Sequence, residues 1–303
     1  MDNYKMWIGG KWVEAESGQT FATFNPATGE EIARIPRAGQ TEVDKAVAAA
    51  RQAFPVWSRM TCSERLPVLN RIAAAIRENA AELIRLEVLE HGTPIGDAGH
   101  APMMSAGNIE FAANAARTLL GEVIPTVSHT MTLLQRVPVG VCAIITPWNH
   151  ALGMMAVKLA QALAAGNTCV VKPPSVNSLI GLKFAEILDK VELPPGVVNI
   201  ITGPGSSTGQ MLASHPGVDL IGFTGSSETG KVLMAAGSPT IKRMIMELGG
   251  KNPVIVLEDA DIDAAVKHLG PRQFHNAGMH CSGAGRYYIH EKVYDEFVGN
   301  LLM

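Results

Sequence analysis

The sequence predicts an α/β chain built on a doubly wound parallel sheet, and three observations carry that reading. Apolar runs at 141–145, 168–171, 197–201 and 220–223 alternate with helical segments starting near Leu152, Ser178, Ser206 and Ser227. The runs are short and almost wholly apolar rather than alternating, as expected of strands covered by helices on both faces. Each run also ends in turn chemistry: Thr146-Pro147-Trp148-Asn149, Lys172-Pro173-Pro174-Ser175, Gly203-Pro204-Gly205 and Thr224-Gly225-Ser226-Ser227-Glu228-Thr229-Gly230. In an open sheet of this kind, ligands collect beyond the carboxyl ends of the strands, where these turns fall.

Upstream, Trp7–Val13 and Phe21–Phe24 read as short strands of an N-terminal arm, with turns at Asn25-Pro26 and Thr28-Gly29. Thr41 is expected to cap a helix to about Phe54, with Val43, Val47 and Phe54 marking its core side. Ser63 opens a second helix, which Leu66, Leu69, Ile72, Ile76, Leu83 and Leu86 carry at helical spacing to about Glu90, before Gly92 and Pro94 stop it. A third helix is expected over Ser105–Leu120. From Val123 to Val137, Thr126, Ser128, Thr130 and Thr132 alternate with Val127, His129, Met131 and Leu133, the period of a half-exposed strand. This reads as an edge hairpin or an arm that reaches a neighbouring subunit.

Beyond Gly250 a new strand, Pro253–Leu257, leads through Glu258-Asp259-Ala260-Asp261 into a helix, then to a cysteine-bearing stretch, a strand Arg286–Ile289 and a last helix from Val293. The chain therefore divides into residues 1–250, with arm, helices, hairpin and parallel sheet, and residues 251–303, the start of a second α/β unit. That second unit is expected to be incomplete at Met303, leaving the chain poorly active and prone to associate.

The composition is that of an ordinary folded protein: 303 residues, 47% hydrophobic and 17% charged. A net charge of −3 without a lysine or arginine run gives no footprint for nucleic acid. Cys62, Cys142, Cys169 and Cys281 are widely spaced, so neither a zinc motif nor a disulfide framework is indicated, and a reducing cytoplasm fits. The N-terminus has no apolar targeting core, and the most apolar stretch, Ala151–Ala165, is short and interrupted by Lys158 and Gln161, so no membrane partner is expected.

Chemistry concentrates on one cysteine and one acid. Cys281 stands among small residues, and Glu247 heads Glu247-Leu248-Gly249-Gly250-Lys251. Brought together, a thiolate could attack an electrophilic carbon while the carboxylate handles protons or water. Taken alone, Cys281 reads more readily as a small buried hydrophobe. Gly225 and Gly230 stand at a strand-to-helix turn that could hold a pyrophosphate, or is merely tight. Lys172 could bond ribose hydroxyls or be a solvated lysine, and Asn149 could offer an amide donor or serve the turn. His91, His275 and His280 lack ligand spacing on one helix and read as solvated or packing residues; no metal is assigned.

Together, Pro147-Trp148-Asn149, Lys172-Pro173, Phe223-Thr224-Gly225-Ser226, Glu247-Leu248-Gly249-Gly250-Lys251 and Gly278-x-x-Cys281 with Arg286 resemble the aldehyde dehydrogenase superfamily over nearly the whole chain. The resemblance implies a dinucleotide-binding sheet followed by the start of a catalytic domain, NAD or NADP as cofactor, a small aldehyde as substrate and homo-oligomers at full length. It implies Cys281 as nucleophile, Asn149 as the side-chain donor to the oxyanion beside the Cys281 N–H, and Glu247 as the base that activates water. Lys158 matches a lysine of a proton relay, or is a helix-surface charge. Ile145, Thr146, Trp148, Lys172, Ser175, Gly205, Gly209, Phe223, Gly225, Ser226, Gly230 and Leu248 are the implied cofactor contacts. Glu247 favours hydrolysis over transfer to a thiol such as coenzyme A, and a catalytically silent dinucleotide-binding or scaffold protein is the alternative outside enzymes.

This sequence departs from the family pattern in three places. Met279 stands where the family usually has Gln, Ser175 stands where it often has Glu, and the segment bearing its Glu-x-Phe-Gly-Pro motif is absent. Without an acid to repel a 2′-phosphate, NADP is expected to be accepted at least comparably with NAD.

Overall fold

The computed structural model describes residues 4–127 and 129–302. Four short strands open the chain: β1 (Met6–Ile8), β2 (Lys11–Val13), β3 (Thr20–Phe24) and β4 (Glu31–Pro36). Then come α1 (Gln40–Arg59), α2 (Cys62–Glu78), α3 (Ala80–Leu86), α4 (Ile95–Ala98) and α5 (His100–Ala115), followed by β5 (Glu122–Val127) and β6 (Thr130–Leu134). The alternating part runs β7 (Val141–Ile145), α6 (Ala151–Ala164), β8 (Thr168–Lys172), α7 (Leu179–Asp189), β9 (Val198–Ile200), α8 (Gln210–Ser214), β10 (Leu220–Gly225), α9 (Ser227–Gly237) and β11 (Arg243–Leu248). Last are β12 (Asn252–Val256), α10 (Ile262–Phe274), β13 (Ala284–Ile289) and α11 (Tyr294–Leu301).

The central sheet has seven strands in the order β11-β10-β7-β8-β9-β1-β2. The five strands from β11 to β9 are parallel, and β1 joins β9 antiparallel through Trp7 opposite Ile200. The N-terminal segment is therefore in part the edge of the main sheet rather than a separate arm. Burial of Met6, Trp7 and Ile8 draws it there. Two cores flank the sheet. Trp57, Leu69, Ile76, Leu152 and Phe184 lie in one, and Val43, Val47, Val141, Ile221 and Phe223 in the other, as a doubly wound sheet requires.

Several boundaries differ from the sequence reading for local reasons. Gly39, not Thr41, begins α1: the Glu42 carboxylate reaches back to the Gly39 N–H at 2.8 Å. Thr61 caps α2, its Oγ1 accepting from Glu64 N–H at 3.2 Å while Glu64 accepts from Thr61 N–H at 2.6 Å. The expected long second helix breaks at Asn79 and then widens into a π-type turn over 87–91, closed by Gly92 at φ +79°. That turn buries Glu87, Glu90 and His91. Glu90 accepts from the N–H groups of Leu179 and Ile180 and from Thr23 Oγ1, tying β3 to the start of α7. β11 was not read as a strand, because its apolar residues alternate at an edge instead of running together.

β5 and β6 form an antiparallel hairpin that stands apart from the central sheet, with Val123, Val127, Met131 and Leu133 exposed; Ser128, in the expected alternation, lies outside the described residues, as do Met1–Asn3 and Met303. β12 and β13 pair in parallel and pack with α10 and α11 around Val256, Ile262 and Phe297. No helix among the described residues is long and apolar enough to cross a membrane.

Candidate active site

The turns beyond the carboxyl ends of β7, β8, β9, β10 and β11 meet the cysteine loop around one cleft of about 560 Å³. From the first turn come Ile145, Thr146, Trp148 and Asn149; from the second, Lys172 and Ser175; from the third, Gly205. Phe223, Gly225 and Ser226 follow from β10 and its turn, Glu247 and Leu248 from β11, and Cys281 from the loop that follows α10. Cys281 is exposed in this cleft, not buried as a small hydrophobe, whereas Cys142 and Cys169 are core residues.

Three of the residues singled out in the sequence do not line the cleft but stand just behind it. A Cβ on Gly230 would come within 2.9 Å of the Leu248 side chain, so the bare glycine lets α9 close on β11. A Cβ on Gly209 would meet the Lys172 methylenes at 3.6 Å. Lys158, on α6, packs its stem near Gly222. Burial lowers its pKa from the usual lysine range, and the nearby Glu247 charge opposes that shift. Lys158 and Glu247 are therefore electrostatic neighbours.

Lys172 is buried rather than solvated at the sheet rim, and burial brings its pKa down to about 8. Its Nζ donates to the carbonyls of Pro173 at 2.7 Å and Gly203 at 2.9 Å, which keeps the charge tolerable. The hydroxyls of Thr146 and Thr224 are buried without a partner in the described structure, and both residues face the cleft. A nucleotide cofactor offers donors and acceptors for such groups, and Ser226 starts α9 at the same wall, capping Thr229 N–H at 3.2 Å. The donor set fits a dinucleotide.

The cysteine loop is held in an unusual backbone form. Asn276, Ala277 and Gly278 all have positive φ, at 52°, 55° and 76°. For the first two, left-handed backbone costs about 1–2 kcal/mol each and persists only where neighbours enforce it. Here the neighbours are explicit. Buried Asn276 donates its Nδ2 to the carbonyls of Asn149 (2.9 Å) and Met279 (3.2 Å), while its N–H donates to Asp97 at 2.8 Å. Asn149 in turn donates its Nδ2 to Met279 O at 3.1 Å, and Asn177 fastens the first turn through Trp148 O at 2.6 Å.

Sequence reasoning missed Asn276, Asp97 and Asn177. A left-handed Asn-Ala-Gly run before a cysteine has a local signal in Asn276, but Asp97 lies 179 positions from its partner and carries none. It also missed His150, which stands with His275 and His280. Burial, followed by the charges of His280, His275 and His91, pushes the His150 pKa down to about 4; His280 is likewise lowered, first by burial. His91 is separate, its ring tilted against Trp148.

The sequence matches the aldehyde dehydrogenase family over residues 12–303. This chain belongs to that family. Among curated relatives, this chain is 41% identical to retinal dehydrogenase 2 of Gallus gallus over 299 residues, covering 97% of this chain and 58% of the relative. It is 40% identical to 3-sulfolactaldehyde dehydrogenase of Pseudomonas putida over 295 residues, again 97% of this chain and 61% of the relative. Among solved structures, an E. coli NADP dependent enzyme superposes with a TM-score of 0.96 at 36% identity, over 99% of this chain and 63% of that one. PnpE in complex with nicotinamide adenine dinucleotide does so with a TM-score of 0.95 at 39% identity, over 99% and 62%. The chain thus spans about three fifths of the length of these relatives.

Proposed function

We propose that this chain carries the cofactor-binding and nucleophile-bearing parts of an enzyme that oxidises an aldehyde to its carboxylic acid with NAD or NADP. The observation that carries the reading is the single cleft in which Cys281, Glu247 and Asn149 meet the turns of β7, β8 and β10. Residues 1–250 form the nucleotide-binding unit, and residues 251–303 supply the cysteine from the start of a second one.

Cys281, as thiolate, adds to the aldehyde carbon and forms a thiohemiacetal, whose developing oxyanion takes hydrogen bonds from Asn149 Nδ2 and the Cys281 N–H. For this, the Asn149 amide exchanges Met279 O for the substrate oxygen. Bound in the cleft, an oxidised nicotinamide supplies the acceptor for the hydride that leaves that carbon. Glu247 then takes a proton from water as it attacks the resulting thioester, and Cys281 leaves as thiolate. Lys172, Ser175, Thr146, Thr224 and the α9 start hold the nucleotide. Gly205 lets the backbone approach it, since no Cβ intrudes, and the bare Gly225 leaves room for the Phe223 ring at the same wall. The β5–β6 hairpin, exposed on its apolar residues, is the surface for association with further copies.

The test is formation of reduced nicotinamide from NAD or NADP with a panel of aldehydes, beside cofactor binding read as quenching of tryptophan fluorescence. Aldehyde-dependent reduction is expected in the wild type and not in Cys281→Ala, which keeps cofactor binding. Unimpaired turnover in Cys281→Ala contradicts the reading. A chain that binds cofactor but reduces none with any aldehyde favours the silent alternative.

A further inference from the structure

His150, His275 and His280 come from two different segments of the chain and converge without any pairing in sequence. One ring nitrogen of each lies within 4.8 Å of the other two. The ring centroids are 4.9 Å apart for His150 and His280, 5.5 Å for His275 and His280, and 6.1 Å for His150 and His275. We propose that these three imidazoles form a binding site for a divalent transition metal ion of the zinc class.

The contacts of His275 and His150 leave one ring nitrogen of each available to an ion. His275 Nδ1 faces Asp97 Oδ1 at 3.1 Å, so the tautomer that donates to this carboxylate leaves Nε2 open. His280 Nδ1 lies 2.6 Å from Ser282 Oγ and accepts from the Ser282 N–H at 3.2 Å, so ligation through Nε2 requires a tautomer change in which Nδ1–H donates to that hydroxyl and the Ser282 N–H contact is given up. His150 Nε2 is buried and has no hydrogen-bond partner in the described structure, an uncompensated polar atom beside two further imidazole rings. A carboxylate behind a ligating histidine orients the ring and strengthens it as a donor, and Asp97 stands in that position for His275.

Three imidazoles suit zinc, cobalt, nickel or copper rather than magnesium or calcium, which prefer oxygen. At metal–nitrogen bonds of about 2.05 Å in tetrahedral geometry, ligand nitrogens stand about 3.3 Å apart, so the rings close on the ion by side-chain rotation of about 1 Å. The fourth position is left to water. The site bridges the residue after Asn149 and the residue before Cys281, so a bound ion fastens the first turn to the cysteine loop. This inference does not depend on the aldehyde chemistry.

The test is titration of chelator-treated protein with Co²⁺, read by visible absorption, with Zn²⁺ as competitor. One equivalent of Co²⁺ with an intense tetrahedral spectrum, displaced by Zn²⁺, is expected. His150→Gln, His275→Gln and His280→Gln should each weaken binding at least tenfold, Asp97→Asn about tenfold, and His91→Gln not at all. Cys281→Ser should retain the spectrum, which separates this site from simple thiolate capture. Because a variant can fail by misfolding, each is compared by far-ultraviolet circular dichroism, and a Zn²⁺-dependent rise in wild-type Tm gives a second reading. Absence of stoichiometric binding in the wild type, binding insensitive to all three histidine substitutions, or binding lost only in Cys281→Ser would overturn the proposal.

Discussion

The side-chain amide of Asn149 donates to the carbonyl of Met279 across 3.1 Å, joining the turn after β7 to the loop that presents Cys281. The same carbonyl accepts from Asn276, so the loop is clamped from both sides two residues before the cysteine. In the proposed mechanism this same amide turns to the oxygen that develops charge on a Cys281 adduct.

Replacing Asn149 with Ala should therefore lower kcat by about a hundredfold or more, the usual cost of losing one oxyanion donor, with a much smaller change in cofactor affinity. Steady-state kinetics beside cofactor titration read both. A variant with near-normal kcat would remove Asn149 from the oxyanion site.

Asp97 positions the loop without reaching the cleft, holding Asn276 N–H and His275. Asp97→Ala frees a strained left-handed turn. The expected outcome is a roughly tenfold fall in kcat, faster proteolytic cutting near residue 277 and unchanged cofactor binding. Unaltered proteolysis would show that the turn is held by Asn276 alone.

How much of this was legible in the sequence follows from what kind of contact each part rests on. The parallel sheet was readable because Val141–Ile145 and the middle of Thr168–Lys172, Cys169-Val170-Val171, are buried on both faces and so are apolar without interruption. The cleft was readable because its residues follow the strands directly. β11 was missed because an edge strand carries exposed and half-buried residues in alternation; Glu247, the head of the Glu247-Leu248-Gly249-Gly250-Lys251 run, lies within that strand. The recruitment of β1 into the main sheet, the Asp97 clamp and the histidine triangle rest on contacts between distant segments, for which no local pattern exists. Lys172 was placed at the rim because a lysine after a strand is usually solvated; two carbonyl acceptors allow its burial.

Glu87 predicts how stability depends on pH. Burial raises its pKa to about 7, against the pull of the Leu152 N–H and the Thr93 hydroxyl, so the ionised form is disfavoured in the fold. A raised carboxylate pKa leaves stability intact below the unfolded value and removes it as pH climbs from about 4.5 through about 7. Glu87→Gln should be more stable than wild type at pH 8 than at pH 5, the difference being on the order of 2 kcal/mol. Denaturant midpoints at the two pH values test this; equal effects at both would mean that Glu87 is not held neutral.

Ser175 predicts cofactor choice. It faces the cleft near Lys172 with no acid of its own, and Glu228, the acid that could have replaced it, is exposed and paired with Lys231 at 2.8 Å outside the lining. NADP should be used at least comparably with NAD, and Ser175→Glu should shift kcat/KM towards NAD by about tenfold or more. A wild type that strongly prefers NAD would refute the assignment.

The most direct test of the covalent account is the intact mass of Glu247→Gln after mixing with aldehyde and oxidised cofactor. Without the base that activates water, the acyl group should accumulate on Cys281, giving one acyl adduct per chain together with one equivalent of reduced nicotinamide, and Cys281→Ala should give neither. An adduct on another residue, or full steady-state turnover in Glu247→Gln with no adduct, would contradict it.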